Sequence, residues 1–183
     1  MREVDKRTRV SRRVFLRNGA TAVPAVAVVA AGMTIGADAA WAGTATTLKP
    51  TTMVALAKLA RDIYPHDRLA DAYYIKAVAG YDAAAGKDAA LAKTIEDGVA
   101  ALDAAAHRKH ASNYVAVAWE RDRLALLTPL ADGPLVKKLR GDLVVALYNN
   151  PDIWPKFGYE GASADQGGYI NRGFNDIDWL PAS

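Results

Sequence analysis

The sequence predicts an all-α protein, a small irregular bundle of about five helices closed by a long glycine- and aromatic-rich tail without regular structure. Three observations carry this expectation. Between positions 50 and 150 apolar residues recur at intervals of three and four, the repeat of one helix face. Alanine, the best intrinsic helix former, fills much of the same span. Beyond Pro151 the repeat stops, while glycines and large rings become frequent.

The chain begins outside that pattern. Ser11-Arg12-Arg13-Val14-Phe15-Leu16-Arg17 is followed by an uncharged run from Gly19 to Gly36. Paired arginines with a following Phe-Leu match the bacterial twin-arginine export signal, an address read through Arg12, Arg13, Phe15 and Leu16 and not a structural element. The other reading is a basic tail before a short membrane anchor, yet roughly eighteen residues interrupted by Gly19, Pro24 and Gly32 make a weak span. Small-x-small sites follow at Ala37-Asp38-Ala39 and Ala40-Trp41-Ala42. A cut after Ala42 is expected, dividing the chain into a signal, 1–42, and a folded domain, 43–183.

That division changes the electrostatics. Seven of the 23 basic and three of the 20 acidic residues precede position 43, so the domain carries 16 against 17, a formal charge of −1. No basic stripe remains for nucleic acid, and none is expected as a partner. About 141 residues suffice for one core without staples. Cysteine is absent, which excludes disulfides, thiolate metal sites, c-type haem attachment and a cysteine nucleophile.

After a polar linker, Gly43 to Lys49, the run Pro50-Thr51-Thr52 predicts a threonine-capped helix. Met53, Leu56, Ala60 and Ile63 should face the core, with Lys58, Arg61 and Asp62 opposite, and Pro65 should end it. Asp71 is the expected cap of a second helix that buries Tyr74, Ile75, Val78 and Tyr81 and ends near Gly86. Asp88 caps the third and longest, with Leu91, Ile95, Val99, Leu102 and Ala106 on one face and an end near His110. From Ala111 to Val117 the pattern allows either an extended piece or the entry to the next helix. A charged helix from about Glu120 to Leu127 stops at Thr128-Pro129, since the residue before a proline is pushed out of helical backbone. Gly133-Pro134 opens another, with Val136, Leu139, Leu143 and Leu147 in one stripe up to Asn149-Asn150-Pro151.

Six of the domain's thirteen aromatics lie in the tail, residues 151–183: Trp154, Phe157, Tyr159, Tyr169, Phe174 and Trp179. So many rings argue against disorder. Two readings remain open for them. In one the tail wraps the helices and buries its rings in their grooves. In the other, Trp154, Tyr159, Tyr169, Phe174 and Trp179 dock on another protein, since Trp and Tyr suit interface hot spots as well as cores.

Tyr64-Pro65-His66-Asp67, Leu147-Tyr148-Asn149-Asn150-Pro151 with Trp154, Phe157-Gly158-Tyr159-Glu160-Gly161, Gly167-Gly168-Tyr169 and Gly173-Phe174-Asn175-Asp176-Ile177-Asp178-Trp179-Leu180 together resemble the gluconate 2-dehydrogenase subunit 3 family. The resemblance covers essentially all of residues 43–183. It implies an accessory subunit of a periplasmic FAD-dependent dehydrogenase of the glucose-methanol-choline type, often joined by a cytochrome c subunit and attached to the inner membrane through that complex. FAD and haem then sit on the partner subunits, and the twin-arginine translocase is a further partner. The resemblance brings no catalytic residue to this chain.

The residues themselves give little to an enzyme. No Gly-x-Gly-x-x-Gly follows a strand, and no phosphate loop or Cys-x-x-Cys-His is present. His107, His110 and Asp103 fall on one helix, where three ligands over two turns rarely converge on a metal. His66 and Asp67 are adjacent and should point apart, so His66 is expected to hydrogen-bond locally. Glu160, Asp176 and Asp178 lack calcium-loop spacing. No catalytic, cofactor or metal residue is assigned. The competing expectation is an autonomous exported carbohydrate-binding or hydrolytic domain that stacks a sugar on the tail rings.

Overall fold

The computed structural model describes residues 40–172 and Phe174. The chain divides into two units, Met1–Ala31 and Gly32–Ser183, and all described residues belong to the second. Arg12, Arg13, Phe15 and Leu16, and at the other end Gly173 and Trp179, lie outside the described residues.

The architecture is all-α. Among the described residues six helices follow in order, α1 Pro50–Ile63, α2 Asp71–Val78, α3 Gly80–Lys87, α4 Ala89–His110, α5 Glu120–Leu127 and α6 Pro134–Ala146, with short 3-10 turns before, between and after them. Among the described residues there is no strand, and no helix is long and apolar enough to cross a membrane.

Helix α1 is the hub and touches α2, α4, α5 and α6. Met53, Ala55, Leu56, Leu59 and Ala60 are all buried, and the two alanines leave room for neighbouring helices. Its start differs from expectation. Lys49 occupies the cap position in extended backbone with Pro50 at the first turn, and no side chain caps the helix. The hydroxyl of Thr52 instead donates to Glu96 of α4 at 3.0 Å, and the same carboxylate accepts the backbone N–H and the ammonium of Lys49. Burial works to raise the Glu96 pKa, yet these donors outweigh it and the carboxyl is held below its ordinary value.

Asp62 is the clearest departure from the helix-face reading. Placed by periodicity on the polar face, it is buried, because Arg123 of α5 reaches it through the core. The expected second helix is two helices, α2 and α3, interrupted at Ala79. Gly80 stands at the break, and glycine costs about 1 kcal/mol of helix propensity relative to alanine. Tyr74, Val78 and Tyr81 are buried, while Ile75 stays half-buried. The Tyr81 hydroxyl donates to Asp142 of α6 at 2.5 Å and so ties α3 to α6.

Asp88 caps α4 as expected, accepting from the amides of Ala90 and Leu91 at 2.9 and 3.1 Å. Ala111 ends that helix with φ of 51°, a left-handed conformation that is uncommon outside glycine and asparagine. Gly98 allows α6 to lie close on α4: a Cβ there would fall 2.5 Å from the Leu135 side chain. The segment left open between α4 and α5 forms a 3-10 turn, Tyr114–Ala116, capped by the Asn113 side chain. Leu139, Leu143 and Leu147 are buried along α6 and just past it, as their stripe requires.

At the amino-terminal side, residues 43–49 are not a free linker. Trp41–Thr44 form a 3-10 turn against α1, and Ala42 and Leu48 are buried. The Asp82 carboxylate of α3 accepts the backbone N–H groups of Thr46, Thr47 and Leu48 at 2.9, 2.9 and 2.8 Å. At the other end the tail contains only two short 3-10 turns, Pro151–Phe157 and Ser163–Gln166, among the described residues. Ile153 is its buried anchor, and Trp154 is partly buried against the core. The remaining described rings do not fill grooves between helices: Phe157, Tyr159, Tyr169 and Phe174 are 44 to 78% exposed.

Candidate functional site

Two segments far apart in sequence meet beside the carboxyl end of α6. One is the loop after α1, where Pro65 ends the helix and turns Tyr64 and His66 toward α6. The other runs from Tyr148 to Tyr159. His66 Nε2 lies 2.6 Å from the Tyr148 hydroxyl, across 82 positions of chain. The expectation of a local bond for His66 is thereby corrected, since its partner comes from the far end of the domain.

Around that contact the rings pack edge to face. Tyr64 meets Tyr148 at 5.6 Å between centroids, Phe157 meets His66 at 4.9 Å, and Tyr159 meets Trp154 at 5.2 Å. Such arrangements place a ring's positive edge on the negative face of its neighbour. Backbone anchors hold them: the Trp154 indole N–H donates to the Tyr148 carbonyl at 2.8 Å, Tyr64 donates to the Arg140 carbonyl at 3.1 Å, and Tyr74 to the Tyr64 carbonyl at 2.7 Å. Asn150 is buried and caps the turn that follows through its side chain, accepting from Asp152 N–H at 3.2 Å. Gly158, left-handed at φ of 72°, reverses the chain between Phe157 and Tyr159, so that both rings line the same groove.

The groove holds about 460 Å³ and is lined by Val144, Tyr148, Asn149, Trp154, Phe157 and Tyr159. Val144 and its neighbour Val145 are 53 and 64% exposed. Both stand off the apolar stripe of α6, and two valines out of register with a stripe were the available sequence signal for this face. Burial, and then the nearby Arg61 guanidinium, depress the His66 pKa against the opposing pull of Asp67. Burial likewise raises the Tyr148 phenol, with Tyr64 adding to it. Both partners of the 2.6 Å contact are thus neutral near neutral pH, a brace between two segments.

The other singled-out residues do not join this site. His107 and His110 are exposed, and Asp103 accepts the Tyr114 backbone N–H at 2.8 Å. Glu160 pairs with Arg172. Asp176 and Asp178 lie outside the described residues, and among those described no group of three His, Asp or Glu is placed to hold a metal ion. Tyr169 and Phe174 are exposed but do not line the groove.

Fold and groove define a small all-α bundle that presents an apolar, aromatic face at one end. Comparison with protein-family models, curated proteins and solved structures finds no match to this chain.

Proposed function

We propose that this chain is the non-catalytic small subunit of an exported FAD-dependent sugar, alcohol or sugar-acid dehydrogenase. It escorts a flavoprotein that lacks its own signal through the twin-arginine route into the periplasm and stabilises it there. FAD, and haem where a cytochrome c subunit joins, belong to the partners. The observation that carries the reading is the convergence of the resembling motifs: Tyr64 to Asp67 and Leu147 to Tyr159, distant in sequence, meet at one face whose rings Phe157 and Tyr159 are half in solvent. Interfaces concentrate their affinity in a few buried aromatics. A face of this kind suits a macromolecular partner. The export signal supplies the complementary argument, since the twin-arginine route moves folded cargo and a small domain without a cofactor motif has no evident need of it alone.

Affinity purification of the chain from the periplasmic fraction tests the proposal. A yellow large subunit should accompany it. A colourless chain that purifies alone, and whose tryptophan fluorescence responds to sugars, would support the carbohydrate-binding alternative instead.

A further inference from the structure

The segment that leads into α1 is itself a piece of the fold. Ala42 and Leu48 are 1 and 3% exposed, and Trp41 packs against the core. Trp41–Thr44 form a 3-10 turn on α1, closed by bonds from Gly43 N–H to the Ala40 carbonyl and from Ala45 N–H to the Ala42 carbonyl, both 3.2 Å. Asp82 of α3 accepts three successive amides, Thr46 to Leu48, and the Thr46 hydroxyl at 3.1 Å. The strap lies so close to α3 that a Cβ on Gly86 would fall 3.0 Å from the Thr47 hydroxyl oxygen. Glu96 of α4 then takes the Lys49 amide at 3.0 Å. Residues 41–49 are thus held from three helices at once, and only the assembly of those helices creates the seat.

The small-x-small site Ala40-Trp41-Ala42 lies at the start of this strap. A peptidase that reads small side chains at the third and first positions before its cut takes the chain extended in its cleft, like an added strand. Here Ala40 has helical backbone, φ −65° and ψ −36°, and Ala42 is turned into the core. Susceptibility to cleavage follows burial and hydrogen bonding of the backbone, not sequence position alone. We propose that Ala42–Gly43 is a fold-gated cleavage site, sealed once α1, α3 and α4 have assembled around the strap and open to a peptidase only while they have not. Hydrolysis adds the hydroxyl of water to the Ala42 carbonyl carbon and leaves the Gly43 nitrogen as a protonated amine. A cut chain loses Trp41 and Ala42 from its core for good, so the gate marks chains that were open when the peptidase met them. The peptidase rests on the export reading; the seal is a property of the domain.

Signal peptidase in detergent micelles tests the gate on the purified full-length chain, with intact mass and N-terminal sequencing of the products. The folded chain should yield no product beginning at Gly43, whereas a synthetic peptide of residues 34–49, which has no helices to seat it, should be cut after Ala42. An uncut peptide, or a folded chain cut there as fast as the peptide, overturns the proposal. Leu48→Ala with Asp82→Ala loosens the strap, and cleavage after Ala42 should rise at least about tenfold, since cutting tracks the population of the open form. A variant that keeps its helical circular dichroism and still resists overturns the gate. Should the variant lose its helices, hydrogen exchange of the parent decides. The Thr46 to Leu48 amides should exchange at least about 100-fold more slowly than in the peptide, and equal rates remove the seal. None of these measurements needs the flavoprotein or the translocase. A chain that stays in the cytoplasm therefore defeats the export reading and leaves the gate standing, and an open gate leaves the export reading untouched.

Discussion

Arg123 and Asp62, 61 positions apart, form a buried two-pronged ion pair, with Nε to Oδ2 at 2.7 Å and Nη2 to Oδ1 at 2.8 Å. Tyr114 donates to the same carboxylate at 2.6 Å, and the remaining guanidinium donor reaches the carbonyls of Val117 and Ala118. The network joins α1, α5 and the turn between α4 and α5. The hydrogen bond to Asp62 raises the Arg123 pKa, and burial raises that of the Tyr114 phenol. Removing one partner strands the other charge in the core, so Arg123→Ala or Asp62→Ala should cost about 3 to 5 kcal/mol. Replacing all three members at once, by Asp62→Leu with Tyr114→Phe and Arg123→Met, should cost far less, because no charge is then left behind. Urea unfolding of the single and combined variants measures both.

Leu139 and Leu143 are buried to within 1% of complete at the centre of the α6 stripe. Leu139→Ala or Leu143→Ala should destabilise the domain by about 2 to 5 kcal/mol, the range for a truncated buried leucine. An unchanged thermal midpoint would contradict their placement in the core.

Asp82 links stability to pH. The Leu48 amide, followed by those of Thr46 and Thr47, holds its carboxyl at about 2, below the ordinary 3.8. The folded state therefore binds this proton less readily than the unfolded chain. Its contribution is complete above pH 3.8 and is lost as pH falls toward 2. Thermal midpoints followed from neutral pH into acid should fall more steeply for the parent than for Asp82→Asn, which should start lower near neutral pH because the amide has one accepting oxygen where the carboxylate has two.

Phe157 and Tyr159 bear on the proposed docking face. Each is close to half exposed, so truncation should spare the fold. Phe157→Ala with Tyr159→Ala should keep the helical circular dichroism while weakening capture of the flavoprotein by about 30-fold, as for a hot spot worth ~2 kcal/mol. Capture at parental strength would move the interface elsewhere.

The proposed export signal can be tested without touching the folded domain. Arg12→Lys together with Arg13→Lys keeps the charge and removes the guanidinium forks. On the proposed reading, this chain and the activity of its dehydrogenase partner should both remain in the cytoplasm. Normal periplasmic activity would rule out carriage on this signal.

Most of the helices, though not the break at Ala79, were legible in the amino-acid order, because the signals for helices are local. The Asp88 cap lies within one turn of the amides it serves, Pro134 sits at the first position of α6, and Leu139 and Leu143 repeat at the helical period. Tertiary structure decided what tens of intervening residues separate. Periodicity placed Asp62 in solvent, and only the approach of Arg123 made it a buried charge. His66 found its partner in Tyr148, not in a neighbour, and Asp82 turned a polar linker into an anchored segment. Which rings of the tail stay in solvent depends on how much room the packed helices leave. A helical period cannot express that, because it describes a single face and not what comes to cover it.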